Sequence, residues 1–113
     1  MSRAVITGLG LYAPPTVIEN DFFSKKYDRD MDTFLREQRN IFKRHFMSAD
    51  QATSDLIVPA AQDAMAQAGV TAKDLDLIIV ATDTPDYISP STAAVVQHKL
   101  SAPRAGTFDL NTA

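Results

Sequence analysis

The feature that most constrains the fold is an unbroken apolar run, LIIVA at residues 77–81, within a longer apolar segment over residues 75–82. A strand that faces solvent on one side alternates apolar and polar residues, whereas this run is apolar at every position. Continuous apolar runs are typical of strands in parallel sheets, which helices cover on both faces. We therefore predict a central strand over residues 75–82, covered on both faces, and with it an α/β fold.

Helical periodicity is clearest between about Asp50 and Gly69, where apolar residues recur at three- and four-residue steps. Gly69 occupies the position at which glycine commonly ends a helix. A further helix is predicted from Pro90 or Ser91 through residue 100, and a short strand over residues 105–110. This alternation of strands and helices indicates a mostly parallel sheet.

The N-terminal part of the chain is less regular. Residues 3–12 are predicted to form a buried strand that the two prolines at 14–15 end. A short helix with Asn20 as its N-cap should follow. Next, the pattern predicts a helix over about 31–39, a turn at Asn40 and an extended piece.

Composition excludes several classes of function. Eleven Lys and Arg against fourteen Asp and Glu leave the chain mildly acidic, whereas general nucleic-acid binding needs a basic face. No apolar run approaches the roughly 18–20 residues that span a bilayer. The sequence has no Cys for a disulfide framework or a Cys-based zinc site. We expect a cytoplasmic protein without nucleic-acid or membrane partners.

The chain shows no internal repeat and no linker, so we expect one domain over residues 1–113. It stops immediately after a predicted strand, at the sheet edge where α/β proteins gather ligands and catalytic groups. We therefore expect that domain to be incomplete.

One short basic island interrupts the acidic chain. Residues 36–45 hold four basic residues and one acidic residue, namely Arg36, Arg39, Lys43, Arg44 and Glu37. A solvated helix face would explain the island. A site for an anionic ligand such as a phosphate would explain it equally well, and the residues alone leave both interpretations open.

The glycines of residues 8–13 match the dinucleotide pattern G-x-G-x-x-A. In that motif the glycines lead into a helix whose N-terminus holds a pyrophosphate. Pro15 disfavours a helical conformation at Pro14, so such a helix cannot continue here. We expect instead that Gly8 and Gly10 let the chain pass close to another backbone.

Other polar residues carry no recognisable catalytic pattern. His45 and His98 lie far apart without neighbouring ligands, and we expect His98 on the outer face of its helix. Asp83 and Asp86 flank a Thr-Pro pair, where turn-forming side-chain bonds account for them.

Six segments, in order and with matching spacing, resemble the N-terminal half of the β-ketoacyl-acyl-carrier-protein synthase III family of the thiolase superfamily. This resemblance implies the N-terminal portion of a thiolase-like layered α/β/α sandwich. The segments are residues 6–14 (ITGLGLYAP), 32–44 (DTFLREQRNIFKR), 49–56 (ADQATSDL), 64–82 (AMAQAGVTAKDLDLIIVAT), 90–97 (PSTAAVVQ) and 108–113 (FDLNTA).

The resemblance implies an acyltransferase that forms a carbon–carbon bond by decarboxylative Claisen condensation of an acyl thioester with a malonyl thioester. An acyl-cysteine carries the acyl group, and the family pattern places this cysteine immediately after Ala113. The family His and Asn that assist lie in the C-terminal half, so no catalytic residue falls within this chain. The resemblance further implies acyl-CoA and malonyl thioester substrates, an acyl-carrier-protein partner, a homodimer, a role in fatty acid biosynthesis and no separate cofactor.

By the same resemblance, Phe34, Gln38 and Arg39 mark the coenzyme A entrance. Phe34 matches an aromatic residue that stacks on the adenine of coenzyme A. Gln38 stands where the family carries an Arg that flanks the nucleotide, and the neighbouring Arg39 can substitute for it. Asn40 replaces the usual Gly and tolerates the same turn.

A second set of residues, Thr82, Tyr87, Ile88 and Ser89, matches the acyl pocket and the dimer loop of the family. In the family a bulky residue just before the Pro-Ser pair reaches across the dimer and caps the acyl pocket of the partner. Here that residue is Ser89. We therefore expect acceptance of an acyl group longer than acetyl, or otherwise different from it.

Three alternatives stay open. One is a related enzyme, either a secondary-metabolite ketosynthase or a synthase of the 3-hydroxy-3-methylglutaryl-CoA type. Another is a non-catalytic partner subunit in which the nucleophile is replaced. The third is a nucleotide-binding regulatory domain, against which the Pro14-Pro15 pair argues.

Overall fold

A computed structural model describes residues 3–111 of the chain. It divides into two compact units, a smaller one over Ala13–Asp50 and a larger one formed by Met1–Tyr12 with Gln51–Ala113. The interpretation of residues 1–113 as one incomplete domain stays a prediction.

The smaller unit combines two short helices with a two-stranded antiparallel sheet. The sheet pairs Thr16 with Phe46 and Glu19 with Lys43. Its elements, in chain order, are β1 (Thr16–Glu19), α1 (Asn20–Tyr27), α2 (Asp32–Arg39) and β2 (Lys43–Phe46).

Both helices of the smaller unit were expected, and α2 closely follows the predicted 31–39. The turn at Asn40 is confirmed, because its φ of 52° lies in the left-handed region that Asn tolerates. The extended piece forms β2, whereas its partner β1 was not predicted. The assignment of Asn20 as N-cap is wrong: Glu19 holds the cap position and Asn20 begins the helix, buried.

The larger unit confirms the predicted alternation of helices and strands. Strands β3 and β4 are parallel neighbours, and α4 connects them. The elements are α3 (Thr53–Ala68), a short 3-10 turn (Ala72–Asp74), β3 (Leu77–Ala81), α4 (Thr92–Leu100) and β4 (Gly106–Leu110).

The caps of α3 and α4 show why these helices begin and end where they do. Gly69 ends α3 with a φ of 69°, as predicted. The Ala52 N–H at the start of α3 donates to the Asp55 carboxylate at 2.9 Å. The Ser91 side chain caps α4 by accepting from the Ala94 N–H.

The core of the larger unit forms where one face of β3 meets α4. Val80, Ala93 and Val96 are buried, and partly buried apolar residues pack against them. The side chains that pack around this core are Ile57, Ile78 and Leu100.

The prediction that helices cover both faces of β3 is wrong for the described residues. Val80 lies inward, whereas Leu77 and Ile79 are about half exposed. Phe108, which pairs with Ile79 across the sheet, is exposed as well. Side chains alternate across a strand, so within residues 3–111 one face packs on the core and the other leaves apolar side chains in the open.

The predicted strand over residues 3–12 is also wrong, because no strand is formed there. The segment runs instead beside α3, where the Leu9 N–H donates to Gln67 Oε1 at 2.7 Å. A Cβ added at Gly8 or Gly10 would overlap backbone atoms of α3. The expectation that these glycines permit a close backbone approach is therefore confirmed, and the neighbour is a helix.

Across the described part of the chain, none of the helices has the length and apolar character that a bilayer crossing requires.

Candidate functional site

A groove lies at the carboxyl end of the β3–β4 pair. The parallel register places Ala81 opposite Leu110, and both strands therefore end at the same edge of the sheet. The groove has a volume of about 500 Å³, within the range of small-molecule sites. Residues that line it include Thr82, Tyr87, Ile88, Ser91, Phe108 and Asp109.

The structure brings together three of the four residues predicted for the acyl pocket and the dimer loop. Thr82, Tyr87 and Ile88 line the groove, whereas Ser89 lies outside its lining and is exposed. Tyr87 is 59% exposed, and Ile88 is fully exposed. The four residues thus fall on one loop, and their functional roles stay predictions.

Asp86 anchors this loop to α3. Its Oδ1 accepts a hydrogen bond from the Ser54 N–H at 2.9 Å, across 32 positions of the chain. Its own N–H donates to Thr92 Oγ1 at 3.0 Å. The expectation that local turn bonds account for Asp86 is therefore wrong, because both partners lie outside the turn.

Asp109, on β4, holds the start of α4. One carboxylate oxygen accepts from the Thr92 N–H at 2.6 Å, and the other accepts from the Ala93 N–H at 2.7 Å. These are two of the N–H groups that have no partner within a helix. The negative charge also interacts favourably with the helix dipole at this end.

A charged contact joins α3 and α4. Lys99 Nζ donates to Asp55 Oδ1 at 2.6 Å and to the buried Ser54 Oγ at 2.7 Å. The Lys99 hydrogen bond, aided by the Ala52 N–H, lowers the pKa of Asp55 below its ordinary value of 3.8. The carboxylate is charged at neutral pH, and its ion pair with Lys99 links the two helices.

In the smaller unit, the basic island is a set of arginines that stack on phenylalanine rings. The guanidinium of Arg39 lies 5.2 Å from the Phe34 ring centroid. Arg36 lies over Phe42 at 5.1 Å, and Arg44 lies over Phe23 at 4.3 Å. Arginine stacks readily on aromatic faces.

Of the three residues predicted for the coenzyme A entrance, Phe34 and Arg39 are brought into contact. The Gln38 carbonyl oxygen accepts a hydrogen bond from Arg39 Nη1 at 3.3 Å. Arg36 is bound differently, because its Nε donates to Asp32 Oδ1 at 2.7 Å. An Arg–Phe surface on α2 can bind an anionic group and stack on a planar ring, and that role stays a prediction.

Asn20 is the buried polar centre of the smaller unit, and the sequence did not reveal this role. Its Nδ2 donates to Asp32 Oδ1 at 2.9 Å and to the Ile41 carbonyl at 2.8 Å. Its Oδ1 accepts from Arg44 Nη2 at 2.9 Å. The Arg36 hydrogen bond, followed by that of Asn20, lowers the pKa of Asp32.

Nothing within residues 3–111 groups three or more His, Asp or Glu side chains in a way that could hold a metal ion. His45 Nδ1 makes a hydrogen bond with the Pro14 carbonyl at 2.5 Å. His98 is exposed on α4, as expected.

Similarity to known proteins indicates the family to which this chain is related. No protein-family model matches the chain. The β-ketoacyl-[acyl-carrier-protein] synthase III of Clostridium perfringens is 45% identical over 113 residues, which is all of this chain and 34% of that protein. The chain is homologous to the β-ketoacyl-[acyl-carrier-protein] synthase III family. It spans about a third of the length of the curated relatives it matches.

Solved structures of this family and of a related ketosynthase share the fold. The 3-oxoacyl-[acyl-carrier-protein] synthase III of Aquifex aeolicus gives a TM-score of 0.83 at 33% identity, over 95% of this chain and 34% of that one. The priming β-ketosynthase of the R1128 polyketide pathway gives 0.82 at 29% identity, over 95% and 32%. The α/β fold and the family resemblance expected from the sequence are thereby confirmed.

The residue after Ala113, where the family pattern places the nucleophile, lies beyond this sequence. Thr112 and Ala113 lie outside the described residues. The lining of the groove nevertheless includes Asn111, three positions before that point in the chain. The groove is therefore the part of this structure nearest in sequence to the expected chemistry.

Proposed function

We propose that this chain is part of a condensing acyltransferase of the synthase III type. The observation that carries the proposal is similarity over the whole chain: 45% identity to a synthase III and a TM-score of 0.83 to a solved one. In this proposal the larger unit supplies one wall of the acyl site, and the smaller unit supplies part of the thioester entrance.

The proposed reaction begins on a cysteine that follows Ala113. Its thiolate attacks the carbonyl carbon of an acyl thioester, and coenzyme A leaves as its thiolate when the acyl-cysteine forms. A malonyl thioester then loses carbon dioxide, and the resulting enolate attacks the acyl-cysteine. The new carbon–carbon bond replaces the carbon–sulfur bond, and the cysteine thiolate is released.

Coenzyme A and acyl-carrier-protein thioesters are the proposed substrates, without a separate cofactor. The stacked Phe34 and Arg39 support this proposal, because they combine an aromatic face with a positive charge. The arginines of the basic island also suit an acidic carrier protein. We assign Gln38 to the same entrance because it neighbours Arg39.

We further propose a homodimer in which the loop of residues 82–89 contributes to the interface. Ile88 is fully exposed and Tyr87 is largely exposed. Side chains of this kind are commonly covered when two subunits associate. We also propose that the enzyme is located in the cytoplasm and acts in fatty acid biosynthesis.

Ser89 supports a proposal about chain length. A small side chain at a position where the family has a bulky one leaves more room in the acyl pocket. We therefore propose that the enzyme accepts acyl groups longer than acetyl.

A second candidate function is priming of a secondary metabolite. Its support is the likeness to the R1128 priming β-ketosynthase, with a TM-score of 0.82 at 29% identity. Analysis of the product formed with each carrier protein distinguishes this function from the initiation of fatty acids.

The deciding experiment is mass spectrometry of the full-length protein after brief exposure to a panel of acyl-CoA thioesters. The proposal predicts an acyl adduct on a cysteine immediately after Ala113, and the preferred adduct identifies the primer. A protein with Gln, Ala or Ser at that position and no adduct would be a non-catalytic partner subunit, and the proposed activity would be rejected.

A further inference from the structure

The wall of the groove is a loop, and a loop needs fixed points if the groove is to keep one shape. Residues 82–91 contain no helix or strand. Five of them nevertheless line the groove together with Phe108 of β4, namely Thr82, Pro85, Tyr87, Ile88 and Ser91.

Thr92 is the point at which the loop is tied to the sheet. It is completely buried, with 0% of its surface exposed. Its Oγ1 accepts from the Asp86 N–H at 3.0 Å, and its own N–H donates to Asp109 Oδ2 at 2.6 Å. One residue thus joins the loop and β4, the two sides of the groove.

The bond between Asp86 and Thr92 also closes the part of the loop that carries the groove wall. The five residues between them include Tyr87 and Ile88. The start of this closed segment is also bound to α3, because Asp86 Oδ1 accepts a hydrogen bond from the Ser54 N–H at 2.9 Å. Thr53 Oγ1 adds a contact by donating to the Thr84 carbonyl at 2.6 Å.

We propose that Thr92 is a positioning residue that fixes the shape of the groove and thereby sets which acyl chains the enzyme accepts. This inference rests on the proposed condensing function. Thr92 itself is absent from the groove lining, so its effect passes through Asp86 and Asp109. Loss of the Thr92 hydroxyl leaves the part-buried Asp86 N–H without its acceptor and opens the closed segment.

The test compares Thr92→Val with Thr92→Ser in the full-length protein. Valine retains the branched shape and removes the acceptor, whereas serine retains the acceptor. Thr71→Val is the control, because it makes the same substitution at a threonine outside the groove lining. The hydroxyl that it removes bonds the Asp74 carboxylate at the 3-10 turn. The readouts are the rates of acyl-enzyme formation from acetyl-CoA to decanoyl-CoA and hydrogen exchange in residues 83–91.

In Thr92→Val, we expect the ratio of loading rates between the best and the worst acyl chain to fall by about tenfold. Hydrogen exchange in residues 83–91 should accelerate by about the same factor. Thr92→Ser and Thr71→Val should behave like the unaltered protein in both measurements.

An unchanged chain-length profile in Thr92→Val, with the unaltered protein active, overturns the inference. Accelerated exchange without a change of profile also overturns it, because Thr92 would then only stabilise the loop. If the unaltered protein forms no acyl adduct with any thioester, the proposed function fails first. In that case hydrogen exchange still tests the role of Thr92 in holding the loop, and unchanged exchange in Thr92→Val rejects it.

Discussion

Gly10 lies so close to Ala60 that a Cβ added to the glycine would overlap the alanine carbonyl oxygen. The same added atom would lie 2.6 Å from the Ala64 backbone nitrogen. Gly8 meets Ala64 in the same way, farther along the helix. The segment of residues 3–12 therefore rests on the backbone of α3, through contacts that only glycine permits.

Gly10→Ala is expected to destabilise the protein by about 1–3 kcal/mol, because either the segment or the helix must shift to admit the methyl group. Urea unfolding of the full-length protein measures the change. Gly106→Ala is the matched control: its added Cβ would lie 3.6 Å from Leu77 Cδ1, an ordinary contact. That variant should stay within about 0.5 kcal/mol of the unaltered protein. Equal losses in the two variants would show that the contact with α3 is not the cause.

Asn20→Ala should destabilise the smaller unit by about 2–4 kcal/mol, because it leaves several polar groups without partners at a site that is 1% exposed. The affected partners are Asp32, the Ile41 carbonyl and Arg44. Thermal unfolding checks the prediction. Gln38→Ala removes an exposed amide and should change the stability little.

Local sequence patterns suffice to predict some elements of the fold and not others. The apolar run of β3 and the periodicity of α3 are local, and both elements are present, although the open face of β3 was not predicted. The pairing of Thr16 with Phe46 spans 30 positions, and four residues such as Thr16–Glu19 carry no local sign of it. Asn20 resembles a cap by position, and its true role depends on partners up to 24 positions away.

The candidate site shows the same contrast between features that the sequence predicts and features that depend on contacts in the folded chain. The family resemblance predicted Thr82, Tyr87 and Ile88, and the structure places all three along one groove. The supporting bonds of Thr92 to Asp86 and Asp109 were not predicted. They depend on how the loop, α4 and β4 meet in space, and a threonine at a helix start gives no sign of that arrangement.

Lys99→Met should lower stability at neutral pH, because it removes the hydrogen bonds to Asp55 and Ser54. Since Lys99 lowers the pKa of Asp55 in the folded protein, this stabilisation is fully present above the ordinary value of 3.8. It is lost as the pH falls through the lowered folded pKa. The difference in unfolding free energy between the two proteins should therefore shrink below about pH 4.

Denaturant unfolding between neutral pH and about pH 3 measures that difference. Lys73→Met alters an exposed lysine at the 3-10 turn and should show no such pH dependence. A gap between Lys99→Met and the unaltered protein that stays constant with pH would mean that Asp55 is not the partner that matters.

Phe34→Ala is expected to raise the KM for acyl-CoA by about 5- to 10-fold and to leave kcat nearly unchanged. The reason is that the variant removes the proposed stacking face, whereas the groove at the end of β3 and β4 stays intact. Steady-state kinetics on the full-length protein measures both constants. Phe42→Ala is the matched control, since Phe42 also lies under an arginine at 5.1 Å but is not assigned to the entrance. The same rise in KM for both variants would contradict the assignment of Phe34.

Ser89→Phe is expected to shorten the preferred acyl chain. A ring at this exposed loop position restores the bulk that the family carries there, and a lost methylene-sized space already changes selectivity about tenfold. The ratio of kcat/KM for octanoyl-CoA to that for acetyl-CoA should therefore fall by about tenfold or more. Lys73→Phe adds the same ring at an exposed site away from the groove and should leave the ratio unchanged. If the unaltered enzyme already uses acetyl thioesters alone, the small side chain of Ser89 does not widen the acyl pocket, and the chain-length hypothesis is wrong.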